Sequence, residues 1–479
     1  MSRYTVEITF HRAQHVPVGD LLNRSSDPYI YATLHPQRPR QGRPDDSFRR
    51  CVLDYRTCTV RSNLEPTFEC RWIVGGVTES GFVLKLRLRD EDPGQLFHDD
   101  RLGQGVLVIP ASGEKLEEGW ELREQDCKIE KRKGAFRSLV STHVARLVSR
   151  GGVGHHTRVW VSVRVLGKSK VLEGDYNRIH TVGPHTFVRH FSPMIGFALL
   201  TSKPNDAPAS EKRAKRLTTT SFVANRLQLT GPVPAALRHR YVGYKPFIEW
   251  MFTKSGIKGR ILHRALHDQY ATIYGYGADT EWGVVEPSDD QDVGRAFAEQ
   301  FLQMTSFGTR GRLFTYVITL GGEMRFTETG EELAIDLLSK HSMHADGAKE
   351  IAYSGEFFVR LMEEYSEAEE RDALADDPQD KDPRHYELVI DNDSGTYRPQ
   401  RELLPVLEKF LASEDNFGGL GRVVTMDGFD ETMEKWKEER KETKKKARGK
   451  GKKDQSLKMV QVGSNSSMSS LMSSVQNRD

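Results

Sequence analysis

The 479 residues suffice for two or three domains, and 37% hydrophobic with 9% aromatic residues supply real cores, which excludes a chain disordered throughout. Seventy Lys and Arg against 68 Asp and Glu leave a formal net charge of +2, so global charge selects no partner. Four cysteines with neither CxxC spacing nor the density of a disulfide scaffold predict a reducing, cytosolic setting.

The N-terminal MSRYTVEITFHRAQ lacks the apolar core of a secretory signal, and the longest apolar stretch, around 193–200, is far short of the ~20 residues needed to span a bilayer. Strand-like runs then follow at 4–10, 29–35, 57–61, 67–74, 82–89, 102–109, 120–128 and 158–167. These eight runs, separated by turn residues and without a βαβ rhythm, have the spacing of an antiparallel sandwich. Two acidic brackets lie between strands: DLLNRSSDPY, with Asp20 and Asp27, and DEDPGQLFHDD, with Asp90, Asp92 and Asp100. Two loops at one end of a sandwich would bring these five carboxylates together, where their repulsion is relieved by a cation. Hard oxygen ligands in a flexible shell point to Ca²⁺ rather than Mg²⁺; the alternative is that the aspartates only cap turns. Leu21 and Leu22 in the first bracket and Leu96 and Phe97 in the second give the loop tips an apolar character suited to a bilayer, unless they fold back on the sandwich.

The run SDPYIYATLH, the stretch EPTFECRW and the segment LKLRLRDEDPGQLFHDDRLGQG together resemble a C2 domain over residues 1–167. Glu65 stands where that family usually carries Asn before Pro66, and RVWVSVRVLG would be a closing strand placed last, as in the circularly permuted arrangement. The resemblance implies a β-sandwich, calcium bound by Asp20, Asp27, Asp90, Asp92 and Asp100, and reversible attachment of a cytoplasmic protein to anionic phospholipid membranes. An insertion at 129–157 interrupts the last two strands. Residues 131–172 contain ten Lys or Arg and no acidic residue. Phe136, Leu139, Val140, Val144, Leu147 and Val148 recur there at helical spacing with Arg137 and Arg146 elsewhere, which reads either as a basic amphipathic membrane helix or as a helix packed on the sandwich edge. Arg38, Arg40, Arg43, Arg49 and Arg50 form a second basic surface suited to anionic lipid.

Residues 168–184 read as a linker, and 185–440 as an α+β domain of unassigned activity, giving a multidomain chain. Helices are expected at 221–229, 234–241, 245–252, 256–274, 291–303, 331–342, 401–412 and from Asp430. The segments 313–320 and 323–329 read as a hairpin closed at Gly321-Gly322, with further strands at 385–393 and 421–426. An acidic loop at 363–382 carries ten Asp or Glu against two basic residues, and 435–453 carries eleven Lys or Arg against three Glu. The two blocks invite mutual pairing. The basic, Ser-rich tail 441–479 reads as disordered, serving as a membrane clamp, a nuclear-localisation signal or merely a solvated run. His263 with His267 and His341 with His344 have helical spacing but no HExxH or third ligand, so structural roles fit them better than zinc. Asp391, Asp393 and Ser394 sit at a strand end, where a turn is the simpler reading than an active site. No GxSxG, GxxxxGK[ST] or kinase signature supports a lipase, NTPase or kinase, and no basic-aromatic interleaving suggests nucleic acid. The remaining alternative to a membrane adaptor is an enzyme of lipid metabolism or signalling whose catalytic site lies in 185–440.

Overall fold

The computed structural model describes residues 2–18, 25–37, 52–91, 100–130 except 112, 156–169, 178–192, 222–242, 256, 260, 280–286, 292–329, 340–365 and 378–447. Asp20, Asp92, the four apolar loop residues Leu21, Leu22, Leu96 and Phe97, and all seven arginines of the two basic surfaces (Arg38, Arg40, Arg43, Arg49, Arg50, Arg137, Arg146) lie outside these, as do the 245–252 helix, His263, His267 and the tail beyond 447.

Eight antiparallel strands build the first unit: β1 (Arg3–Gln14), β2 (Pro28–Pro36), β3 (Leu53–Arg56), β4 (Thr67–Thr78), β5 (Phe82–Asp90), β6 (Asp100–Ile109), β7 (Glu121–Lys128) and β8 (Arg158–Lys168). One sheet has the order β7-β8-β1-β4 and the facing sheet β3-β2-β5-β6. The period-2 alternation seen in sequence is realised in β1, where Tyr4, Val6, Ile8 and Phe10 are buried and their neighbours half-buried. Their partners across the sandwich include Ile30, Leu34, Leu84 and Leu86, and Trp72 joins the same core from the neighbouring strand β4. The unit is thus an antiparallel two-sheet sandwich, the fold that the C2 resemblance implies. One strand is displaced from its expected place: the third runs over Leu53–Arg56 rather than 57–61. Residues 57–61 instead follow β2 through single bonds, Thr57 N–H to the Ile30 carbonyl and Val60 N–H to the Pro28 carbonyl.

The expected linker contributes a strand. β9 (His180–Gly183) pairs with β4 as a fifth strand of the first sheet, and Trp72 Nε1 donates to Thr181 Oγ1 at 3.2 Å. Gly76, at φ +74°, makes this approach possible, since a Cβ there would lie 2.2 Å from the Arg178 carbonyl oxygen. Three residues after β9 the chain enters the second unit as β10 (Thr186–Ser192).

The second unit is an eight-stranded sheet built also from β11 (Phe222–Gln228), β13 (Thr280–Val284), β14 (Phe314–Ile318), β15 (Glu323–Glu328), β17 (Tyr353–Leu361), β18 (Tyr386–Asp391) and β19 (Arg422–Met426), with the order β13-β10-β11-β15-β14-β17-β18-β19. All of its pairings are antiparallel except β18 with β19. The two-residue strands β12 (His239–Arg240) and β16 (Glu350–Ile351) pair beside it. Its described helices include α1 (Val293–Met304), α2 (Lys340–His344), α3 (Leu404–Leu411) and α4 (431–447). Every residue of β18 is buried because both sheet faces are covered. Phe357, Leu388 and Ile390 face α1 and α3 together with Phe297, Phe301 and Leu407, whereas Phe358 and Val389 face Met433 and Trp436 of α4. α1 is capped by Asp292, whose Oδ1 accepts from Arg295 N at 2.6 Å.

The α+β expectation is corrected in its balance: this unit is richer in strands than the periodicity suggested. The segment expected to be helical at 221–229 is β11, bonded on one side to β10 and on the other to β15, so two pairing edges override its helical propensity. The expected helix at 234–241 is a single 3₁₀ turn (Ala235–Leu237) followed by β12. The 291–303 helix, the hairpin and the strands at 385–393 and 421–426 appear as α1, β14 with β15, β18 and β19. The 401–412 helix is a 3₁₀ turn leading into α3, and the helix from Asp430 is α4.

The two units share a small apolar contact of Tyr29 and Val188, bordered by Tyr31 and Trp282. The Arg56 guanidinium lies over the Tyr29 ring at 4.0 Å and the Trp282 ring at 5.3 Å, a cation–π arrangement at the seam between β2 and β13.

Candidate functional site

The acidic edge of the sandwich is set by strand register. Asp90 ends β5, Asp100 opens β6 as its cross-strand partner, and Pro28, the residue after Asp27, pairs with Asp90. By backbone register, positions 27, 90 and 100 therefore stand at one end of one sheet. Asp90 is buried, and its Oδ1 accepts the Asp27 N–H at 2.5 Å. Asp27 Oδ1 accepts from Ser62 N at 2.7 Å. A basic group that the loop sequences do not contain also reaches this edge: Arg61 donates to Asp27 Oδ2 at 2.9 Å and approaches Glu91 Oε1 at 3.4 Å. Glu91 in turn meets the buried Arg56 at 3.3 Å. The carboxylate oxygens at this edge are the hard donors that calcium takes, and the guanidinium already beside Asp27 would compete with such an ion.

A second polar centre lies where Asp391 ends β18. Glu356, Asp391 and Asp393 bring carboxylate oxygens within 4.8 Å of one another. Gly355 makes room, since a Cβ there would meet the Asp391 carbonyl oxygen at 2.2 Å and its Oδ1 at 2.7 Å. Asp391 Oδ1 accepts from the N–H groups of Glu356 (2.7 Å) and Asp393 (2.9 Å). The charge is balanced from within the chain: Lys437 Nζ of α4 lies 2.5 Å from Asp391 Oδ2, 2.9 Å from Glu356 Oε2 and 3.1 Å from Asp393 Oδ2. Burial pushes the Asp391 carboxyl up to about 6 against the opposing pull of Lys437 and the two N–H groups. Burial also works to discharge Lys437, but Asp391 and Glu356 more than offset it, so the ammonium is held charged beyond the ordinary lysine range.

The neighbouring histidines serve the fold. His341 Nε2 lies 3.2 Å from the Gly355 carbonyl and His344 Nε2 lies 3.1 Å from Thr327 Oγ1, both buried. Other cations of the basic C-terminal block are also used internally. Arg440 lies over the Phe358 ring at 4.0 Å and donates to the Gly308 carbonyl, while Lys444 meets Glu328 Oε1 at 2.6 Å. This corrects the expected start of the disordered tail, because α4 continues through residue 447. It also redirects the anticipated pairing of 435–453 with the 363–382 loop: the described cations Lys437 and Lys444 meet carboxylates on or beside the sheet strands. Sequence reasoning missed Glu356 and Lys437. The available signal was the inward stripe Met433, Trp436, Lys437 and Arg440 at helical spacing, in which the lysine interrupts the apolar positions.

No family model and no curated protein matches the chain. Solved structures similar to it include the first C2 domain of plant extended synaptotagmin 1 (13% identity, covering 36% of this chain and 99% of that one, TM-score 0.24). A C2 domain protein from Ramazzottius varieornatus (14% identity, 35% and 89%, TM-score 0.22) and human GIVD cytosolic phospholipase A2 (14%, 40% and 21%, TM-score 0.23) are also similar. The chain thus spans about a fifth of that phospholipase's length. Among the described residues no helix is long and apolar enough to cross a membrane.

Lys437→Met is expected to destabilise the protein by about 3–5 kcal/mol, because it leaves a buried carboxylate cluster uncompensated; urea denaturation measures this. Asp391 binds its proton more tightly folded (about 6) than at its ordinary value of 3.8, so its contribution favours folding fully below pH ~4 and is lost as pH rises through about 6. Denaturation curves at pH 7, 6 and 5 should show the wild type gaining stability relative to Asp391→Asn as pH falls; parallel curves would contradict the assignment.

Proposed function

We propose that the protein attaches reversibly to anionic phospholipid membranes through the acidic edge of its first sandwich, with calcium as the bridging ion. The observation that carries this reading is the register that gathers Asp27, Asp90 and Asp100 at one end of the β2–β5–β6 sheet. Asp20 and Asp92 belong to the same two loops by sequence and would complete the ligand set. Calcium would displace Arg61 from Asp27 and leave coordination positions for lipid phosphate. Leu21, Leu22, Leu96 and Phe97 would then enter the bilayer, each contributing at most roughly 1.5–3 kcal/mol if fully transferred. Arg38, Arg40, Arg43, Arg49, Arg50, Arg137 and Arg146 would add about 1 kcal/mol each near anionic lipid, screened by salt. The protein works in this reading as a recruitment or adaptor module of the cytoplasm, with the second unit presenting a surface to other proteins. The enzyme alternative is less well supported, because the carboxylates gathered in the second unit are neutralised by Lys437.

Co-sedimentation with vesicles should require both phosphatidylserine and calcium, and Asp90→Asn with Asp92→Asn should abolish it. Binding that persists undiminished in chelator would refute the calcium bridge. Arg61→Ala, which removes the competing cation, should lower the calcium needed for half-maximal binding by a factor of about 1.4 to 5, in line with the ~0.2–1 kcal/mol of an exposed ion pair. An unchanged or higher requirement would show that Arg61 does not compete.

A further inference from the structure

The first sandwich also holds a pair of thiols that its sequence spacing does not announce. Cys58 follows β3 and Cys70 lies in β4, on opposite sheets, yet their sulfurs are 3.4 Å apart. Both are free and half-buried, at the margin of the core beside Val60 and Leu64. Their surroundings make them unequal. The Cys70 thiol donates to Cys58 Sγ, and that hydrogen bond, ahead of burial, which opposes it, and the weaker help of Arg56, holds the Cys58 thiol down to about 7. Cys70, which would give up its own bond to Cys58 on ionising, is pushed well above the thiol range. Cys127, by contrast, is buried, and burial pushes it up to about 11.

We propose that Cys58 and Cys70 form a redox dithiol that a peroxide converts reversibly into an intrachain disulfide. The Cys58 thiolate attacks one peroxide oxygen, the O–O bond breaks, and the leaving oxygen departs as water after taking a proton, which leaves a sulfenic acid. Cys70 then loses its proton and attacks the Cys58 sulfur, forming S–S and expelling the hydroxyl as a second water. Two thiols are oxidised by two electrons and one hydrogen peroxide is reduced to two waters. Only a short closure is needed, from 3.4 Å to the ~2.05 Å of a disulfide. Because Cys58 is three residues from Arg61, the bond would tie the strand opposite to the segment that carries the Asp27 partner. The dithiol chemistry is independent of the membrane reading.

The test treats the reduced full-length protein, freed of reductant, with hydrogen peroxide, then alkylates and maps its peptides. A Cys58–Cys70 link that dithiothreitol reverses is expected, formed at a rate that rises with pH through about 7, with Cys127 oxidised at least tenfold more slowly. In Cys70→Ser, a dimedone adduct on Cys58 should replace the link. A link through Cys51, sulfinic acid on Cys58 with Cys70 still alkylated, or Cys127 reacting as fast as Cys58 would overturn the proposal.

Discussion

The Lys437 ammonium among Glu356, Asp391 and Asp393 joins what would otherwise be separate parts of the second unit. Asp391 and Glu356 belong to neighbouring strands of the sheet, and at the end of β18 one carboxylate is wholly buried. Such a group is tolerable only when its charge is matched and its lone pairs are met. The two N–H groups of Glu356 and Asp393 satisfy one oxygen, and the helix α4 brings a cation to the other. The electrostatic requirement of the sheet thereby fixes the position of a helix near the C-terminus. Once α4 is there, Met433 and Trp436 cover Phe358 and Val389, and Arg440 stacks on the Phe358 ring. Without that cover, a face carrying alternate apolar residues of β17 and β18 would be open to water.

Covering both faces explains the composition of the central strands. In β14, Phe314, Tyr316 and Ile318 serve the core under α1 and α3, while Val317 packs on the opposite face with Ala345 and Tyr397. A strand used on both sides loses its alternation and reads as a continuous apolar run. The first sandwich keeps the alternation because its outer faces are largely solvated, except where Tyr29 and Tyr31 meet Val188 and Trp282 of the second unit. The path β4–β9–β10 enforces that contact: β9 is bonded into one sheet and, after only two intervening residues, β10 begins the other.

These two regimes decide what the sequence disclosed. The alternating strands of the first unit were legible nearly to their ends except the third, which lies at Leu53–Arg56 rather than 57–61, because a period-2 pattern also fixes register. The helix α1 was legible from its 3.6-residue period, and the β14–β15 hairpin from Gly321-Gly322. β11 was not, since FVANRLQ carries Asn225 and Arg226 in a buried strand and mimics a helix in its composition. β9, β10 and β17 were missed for a related reason: β9 is a four-residue edge strand bonded only to β4, and β10 and β17 are flanked on both sides, so all three take their identity from partners distant in the chain. The second polar centre was hidden because it is assembled from residues up to 81 positions apart, Glu356 to Lys437, and its decisive member is a lysine inside a block read as solvated charge. The Cys58–Cys70 proximity was hidden likewise, because it crosses between sheets.

The acidic edge at β5 and the carboxylate cluster at β18 each carry an internal cation, and their difference lies in burial. Lys437 is 6% exposed and its partner Asp391 is wholly buried, so separating the two leaves charges in a medium that cannot solvate them, at a cost of about 3–5 kcal/mol. No ordinary ion concentration would drive that exchange without unseating α4. Arg61 is 60% exposed, and its bond to Asp27 competes with water at every moment, for a net ~0.2–1 kcal/mol. An ion bound with even micromolar affinity brings about 8 kcal/mol to the same edge. In the proposed calcium reading, the arginine would offset the mutual repulsion of Asp27 and Glu91 and would release Asp27 to a divalent cation. The same arrangement of charge is a fixed strut in the second unit, where the cation is buried, and a solvent-exposed ion pair in the first, where the proposed exchange would take place.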